Sequence, residues 1–110
     1  MKKIKRNPEI VWRIEVEEEE LLARAGKGED ISEDSMITLV IADMVHQLNY
    51  VAGKIWMLAD GTVGENAIVS EILKNFDADE KTLRKDISFF LSRLLKEGWL
   101  ILVDKKENML

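Results

Sequence analysis

The 110-residue chain has no cysteine, one proline, one histidine and one tyrosine, and aromatic residues make up 6% of it. Without cysteine there is no disulfide framework, no thiolate metal site and no ligand set for an iron–sulfur cluster. That absence fits a reducing, cytoplasmic setting. His46 has no second imidazole with which to hold zinc, and spacing identifies no partner for acid–base chemistry. It is expected to be a packed or partly exposed strand residue, and the metal and catalytic sets are both expected to be empty. No apolar run approaches the roughly 20 residues that cross a bilayer. The basic start, Met1 to Arg6, lacks a following apolar segment and is not expected to act as a secretory signal. The six glycines are scattered, and none forms a phosphate cradle.

What is present supports one small core. Hydrophobic residues make up 46% of the chain and charged residues 34%, as in a soluble domain spanning 1–110. The net charge is −5 and the isoelectric point about 4.9, which disfavours non-specific attraction to nucleic acid or an anionic membrane.

Residues Ile10 to Val16 alternate, with Ile10, Trp12, Ile14 and Val16 on one face and Val11, Arg13 and Glu15 on the other. Period two with β-branched and aromatic residues predicts a half-buried strand, with Pro8 at its start. Residues 17–35 read as an acidic insertion, either a short helix or a loose loop, whose run Glu17 to Glu20 is expected to face water. Ile37 to Leu48 reads as a hairpin. If Ala42-Asp43 is the turn, Ile41 faces Met44, Leu39 faces His46 and Ile37 faces Leu48. Ala-Asp is a disfavoured two-residue turn, so a longer loop with a shifted register stays open.

Three helices follow. Asn49 is the expected N-cap of the first and Gly61 its stop. The second begins near Glu65 with Ile68, Val69, Ile72, Leu73 and Phe76 inward. Asp77 or Asp79 caps the third, in which Leu83, Ile87, Phe90, Leu91 and Leu94 recur at three and four before Gly98. The acids Asp77, Asp79 and Glu80 are read as capping groups rather than metal ligands. Trp99 to Val103 supplies one last strand, and 104–110 is a charged tail. A small sheet with a three-helix unit is an α+β arrangement, and its last two helices resemble a helix-turn-helix. Lys81, Arg84, Lys85, Arg93 and Lys96 outnumber Glu80, Asp86 and Glu97 on the third helix. A winged-helix DNA-binding regulator is therefore the alternative function. The acidic net charge weighs against it, as does a final strand with no return strand.

From Met44 onward the sequence reads MVHQLNYVAGKIWMLADGT, then AIVSEIL, then KTLRKDISFFLSRLLKEGWL. This order resembles the PqqD family at Leu48, Asn49, Ile55, Trp56, Leu58, Asp60 and Gly61. It continues at Glu71, Ile72, Asp86, Ile87, Phe90, Leu91, Leu94, Gly98, Trp99 and Leu100. Residues Asn7 to Arg13 also look like the family's first strand, and the HQLNY…G.IW.L.DGT run is most similar to PqqD-type proteins of GeoRSP peptide-maturation systems. The resemblance implies a three-stranded antiparallel sheet followed by a three-helix, winged-helix-turn-helix-like unit. It implies a non-catalytic peptide chaperone, or recognition element, without a cofactor of its own. Such a protein binds the leader of a ribosomal precursor peptide and presents it to a radical S-adenosylmethionine (SAM) enzyme, which holds the iron–sulfur cluster.

The leader is expected to add as a strand, because an open strand edge offers unpaired donors and acceptors to an extended guest. The expected peptide-binding residues are Met44, Val45, His46, Gln47 and Leu48 on the edge. Leu83, Ile87 and Leu91 form the expected groove floor, with Arg84, Lys85 and Ser88 on its rim. Core packing is the competing role for the three apolar residues, and solvated charge for Arg84 and Lys85. Neither nucleic acid nor membrane is expected as a partner, and the chain is expected to be a monomer or homodimer.

Overall fold

A computed structural model describes residues 2–75 and 78–104. The inward position expected of Phe76, the capping alternative at Asp77 and the tail beyond Asp104 lie outside the described residues. In chain order the elements are β1 (Lys2–Arg6), β2 (Val11–Ile14), α1 (Glu18–Gly26), β3 (Ile37–Ile41), β4 (Met44–Leu48), α2 (Tyr50–Leu58), α3 (Glu65–Leu73), α4 (Glu80–Glu97) and β5 (Leu100–Asp104). The class is α+β, with the expected three-stranded antiparallel sheet. The chain divides into two compact units, Pro8–Trp56 and Met1–Asn7 with Met57–Leu110.

In the unit Pro8–Trp56 the sheet order is β2-β3-β4. The hairpin has the expected register, pairing Ile41 with Met44, Leu39 with His46 and Ile37 with Leu48. Ala42 and Asp43 do form the two-residue turn, both with left-handed backbone, at φ 51° and 65°. Asp tolerates that conformation better than Ala, whose Cβ is crowded there. The inward face of the sheet buries Ile37, Leu39 and Leu48, and Trp12 packs edge-on to the buried Trp56 with ring centroids 6.2 Å apart. Gly53 lets α2 approach closely, since a Cβ there would lie 3.0 Å from Met36 Sδ and 3.1 Å from Ile37 Cγ1.

Two expectations about this unit need correction. The first strand is shorter than Ile10 to Val16, because the amides of Glu15 and Val16 both converge on the Met36 carbonyl, at 2.8 and 3.3 Å, and end the ladder. Of the two alternatives for the insertion the short helix is the one found, as α1, but its acidic run is not wholly solvent-facing. Leu21 is fully buried, and Glu18 accepts from the Tyr50 hydroxyl at 2.7 Å and from Lys54 Nζ at 2.9 Å. Arg24 closes the following loop on Glu29 and Asp34. Burial pushes the Glu18 carboxyl up, but hydrogen bonds from Lys54 and Tyr50 outweigh it and hold the group below the usual carboxylate range. Thus Glu17, Glu19 and Glu20 face water as expected, and Glu18 does not fully.

In the other unit, α3 and α4 pack together, burying Ile68, Val69, Ile72, Ile87, Leu91 and Leu94. Asp79 caps α4 by accepting from the Thr82 amide at 3.0 Å, and Gly98 ends it with φ 79°. The last strand is expected to have no return strand after it; the residues that would form one lie outside the described residues, and the partner of β5 comes from the start of the chain instead. β5 pairs antiparallel with β1, from Arg6 opposite Leu100 to Lys2 opposite Asp104. The segment 2–6 escaped notice because Ile4 is its only apolar residue, too few to show a period. On its other side β1 binds the 59–63 segment, with the Ile4 amide donating to Val63 and the Arg6 amide to Ala59, at 2.9 and 2.8 Å.

Candidate functional site

The hairpin geometry decides which main-chain groups of β4 are available. A two-residue turn makes Ile41 and Met44 a pair that exchanges both hydrogen bonds, and the pattern alternates along the ladder. Met44, His46 and Leu48 therefore turn their amides and carbonyls to β3, while Val45 and Gln47 turn theirs to the outer side. β4 ends the sheet order, and among the described residues no strand pairs with that outer side. None of its five residues is an acid, Lys, Arg or Pro, the residues that usually guard an edge.

The side chains alternate as well. Leu48 is buried and His46 half-buried, whereas Gln47 is exposed and Val45 is 64% exposed. Met44 lies on the core side by register but sits at the turn end of the sheet, where it is 62% exposed. Two further residues join Val45. The register sets Val11 opposite Val40 and Val40 opposite Val45, and these are 68% and 42% exposed at Val11 and Val40. A row of three solvent-facing valines thus crosses the sheet and ends at its open edge. Parts of this row follow from the sequence, since Val11 is expected on the face away from Trp12 and the expected hairpin register implies Val40 across from Val45. The sequence does not join them because the pairing of β2 with β3 is not local.

The expected helix residues lie in the other unit. Ile87 and Leu91 are each only 1% exposed, as the core-packing role has them. Leu83 and Ser88 are half-buried. Arg84 donates to Asn66 Oδ1 at 2.8 Å and to Glu80 at 3.2 Å, whereas Lys85 is exposed.

Around the edge the chemistry is that of main-chain pairing and apolar contact. Among the described residues no group of three or more His, Cys, Asp or Glu is placed to hold a metal ion. No helix among them is long and apolar enough to cross a membrane.

Neither the curated proteins nor the solved structures include a match to the chain. Residues 30–100 match the family model described as coenzyme PQQ synthesis protein D, a span that runs from the end of the acidic insertion through the hairpin and the three helices to the start of β5. On that match over most of its length, the chain belongs to the PqqD family.

Proposed function

We propose that this chain captures the leader of a ribosomally made precursor peptide by strand addition at the outer edge of β4, and presents it to a separate radical SAM enzyme. Membership of the PqqD family supports the coarser part, an accessory protein of biosynthesis that binds rather than catalyses. The observation that carries the finer part is the outer edge itself, with the main-chain groups of Val45 and Gln47 turned away from β3 and no charge or proline guarding them.

An extended leader laid along this edge pairs with Val45 and Gln47 and extends the sheet to a fourth strand. Each main-chain hydrogen bond adds only about 0.5–1.5 kcal/mol net, because water is displaced. Selectivity then falls to side chains. Those of the guest that point to the outer face meet Val45 and the valine row, which favours small or β-branched apolar partners. Ordering a free leader opposes binding, which keeps the complex reversible enough for hand-over. The proposal rests on the edge strand; the residues expected on α4 are not needed for it.

Titration of the labelled protein with the leader of a precursor encoded beside it tests the reading. The amide signals of Val45 and Gln47 should shift most and become protected from exchange, with smaller shifts at Met44 and His46. Shifts confined to other parts of the chain, or no binding by any neighbouring precursor, would rule the edge out.

A further inference from the structure

The longest helix, α4, presents an outward stripe that the edge-binding function does not use. Lys81, Lys85, Phe89 and Arg93 follow at every fourth position, and Lys96 returns to the same side. With 3.6 residues per turn the five occupy roughly a third of the helix circumference. All are exposed, and Phe89, near the middle of the arc, is 67% exposed. A phenyl ring in water on a helix whose opposite side is buried through Ile87, Leu91 and Leu94 has no role in the core. The cations are also available. Arg84 is engaged by Glu80 and Asn66, whereas Lys81, Lys85, Arg93 and Lys96 form no ion pair among the described residues.

Charge is divided unevenly between the two units. Pro8–Trp56 contains four Lys and Arg against eleven Asp and Glu, a net −7, while the unit that holds α4 contains twelve against ten, a net +2. The acidity of the whole chain therefore does not describe the unit that holds α4.

We propose that this stripe docks an acidic protein surface with an apolar recess for Phe89, carried by the enzyme that receives the peptide. The inference rests on the reading of the chain as a peptide carrier. Aromatic residues and arginine are enriched in protein interfaces, where a desolvated aromatic often anchors the centre and charges lie at the rim. The free lysines and arginine steer an acidic partner toward it. Asp86 separates this partner from nucleic acid. It is exposed on the same side, one turn before Phe89, where its carboxylate repels phosphates but can pair with a basic group of a protein.

The test measures binding of the purified radical SAM enzyme encoded beside this chain to the full-length protein, to Phe89→Ala, and to the double variant Lys81→Glu with Arg93→Glu. Leader affinity is measured in parallel, and unfolding curves confirm that these exposed substitutions leave the fold intact. Phe89→Ala is expected to weaken enzyme binding roughly tenfold or more, and the charge reversal further. Wild-type affinity should fall as salt is raised, and leader affinity should stay unchanged. Equal enzyme affinity in all three proteins overturns the proposal, as does no enzyme binding by the wild type. Salt-sensitive retention of a duplex DNA probe that only the variants lose, without a change toward the enzyme, overturns it in favour of nucleic acid. Leader binding without stripe-dependent docking ends this inference alone. Stripe-dependent docking without leader binding instead ends the peptide reading.

Discussion

β1 and β4 are both five-residue strands, yet their main-chain edges have opposite fates. β1, with four of its five residues Lys or Arg, is bound on both sides, by β5 and by the 59–63 segment. β4 has no Lys, Arg, Asp or Glu and, among the described residues, is paired on one side only. Proteins ordinarily place charge on open edges to discourage pairing with other chains. Here the charged strand lies inside a ladder and the unguarded one lies at a sheet margin. Charge along a strand thus does not reveal whether its edge is open, and an edge left unguarded is suited to a guest.

Proline substitution gives the sharpest way to break this contrast. Ile4→Pro removes the amide that donates to Val63 and the buried side chain, and should destabilise by about 3 kcal/mol or more in urea denaturation. Gln47→Pro removes only an outward amide. It should leave stability within about 1 kcal/mol of wild type while weakening leader binding roughly tenfold, read by calorimetric titration. Equal unfolding by both prolines would mean that the two edges are used alike.

Glu18→Gln sharpens the comparison from within the edge-bearing unit. It weakens the link from α1 to Tyr50 and Lys54 and, after allowance for solvent screening, should lower stability by about 1 kcal/mol at neutral pH. The folded-state carboxyl titrates below its unfolded counterpart. Its contribution is therefore present at neutral pH and fades as pH falls from the ordinary carboxylate range through the lower folded value. Wild type and variant should converge in acid; a gap that persists there would assign the effect to packing. The smallest expected change comes from the turn. Ala42→Asn with Asp43→Gly supplies the residues preferred where both turn positions are left-handed, and should raise stability by about 0.5–1 kcal/mol without altering leader affinity. A lower melting temperature would argue for another register.

Legibility followed the range of each interaction. The Asn49, Asp79 and Gly98 caps are borne out, with Asn49 Oδ1 accepting from Ala52 at 3.2 Å. Such signals lie within three or four residues of one another, and local periodicity carries them. The hairpin register was legible for the same reason, although the Ala-Asp turn gave no support. The valine row was only half legible, because Val40 and Val45 are hairpin neighbours while Val11 reaches them through a pairing across the acidic insertion.

By itself the sequence determined the hairpin with its inward Ile37, Leu39 and Leu48, the three later helices with the caps Asn49, Asp79 and Gly98, and the family resemblance that the match over residues 30–100 bears out. The first of those helices, α2, ends at Leu58, before the expected stop at Gly61. Tertiary structure alone decided that Lys2–Arg6 is a strand, that Glu18 and Leu21 tie the acidic segment down, and that α4 leaves Phe89 in water. The physical reason is that alternation and helical spacing record which way a side chain faces. They do not record which distant main chain, buried ring or counter-charge meets it there.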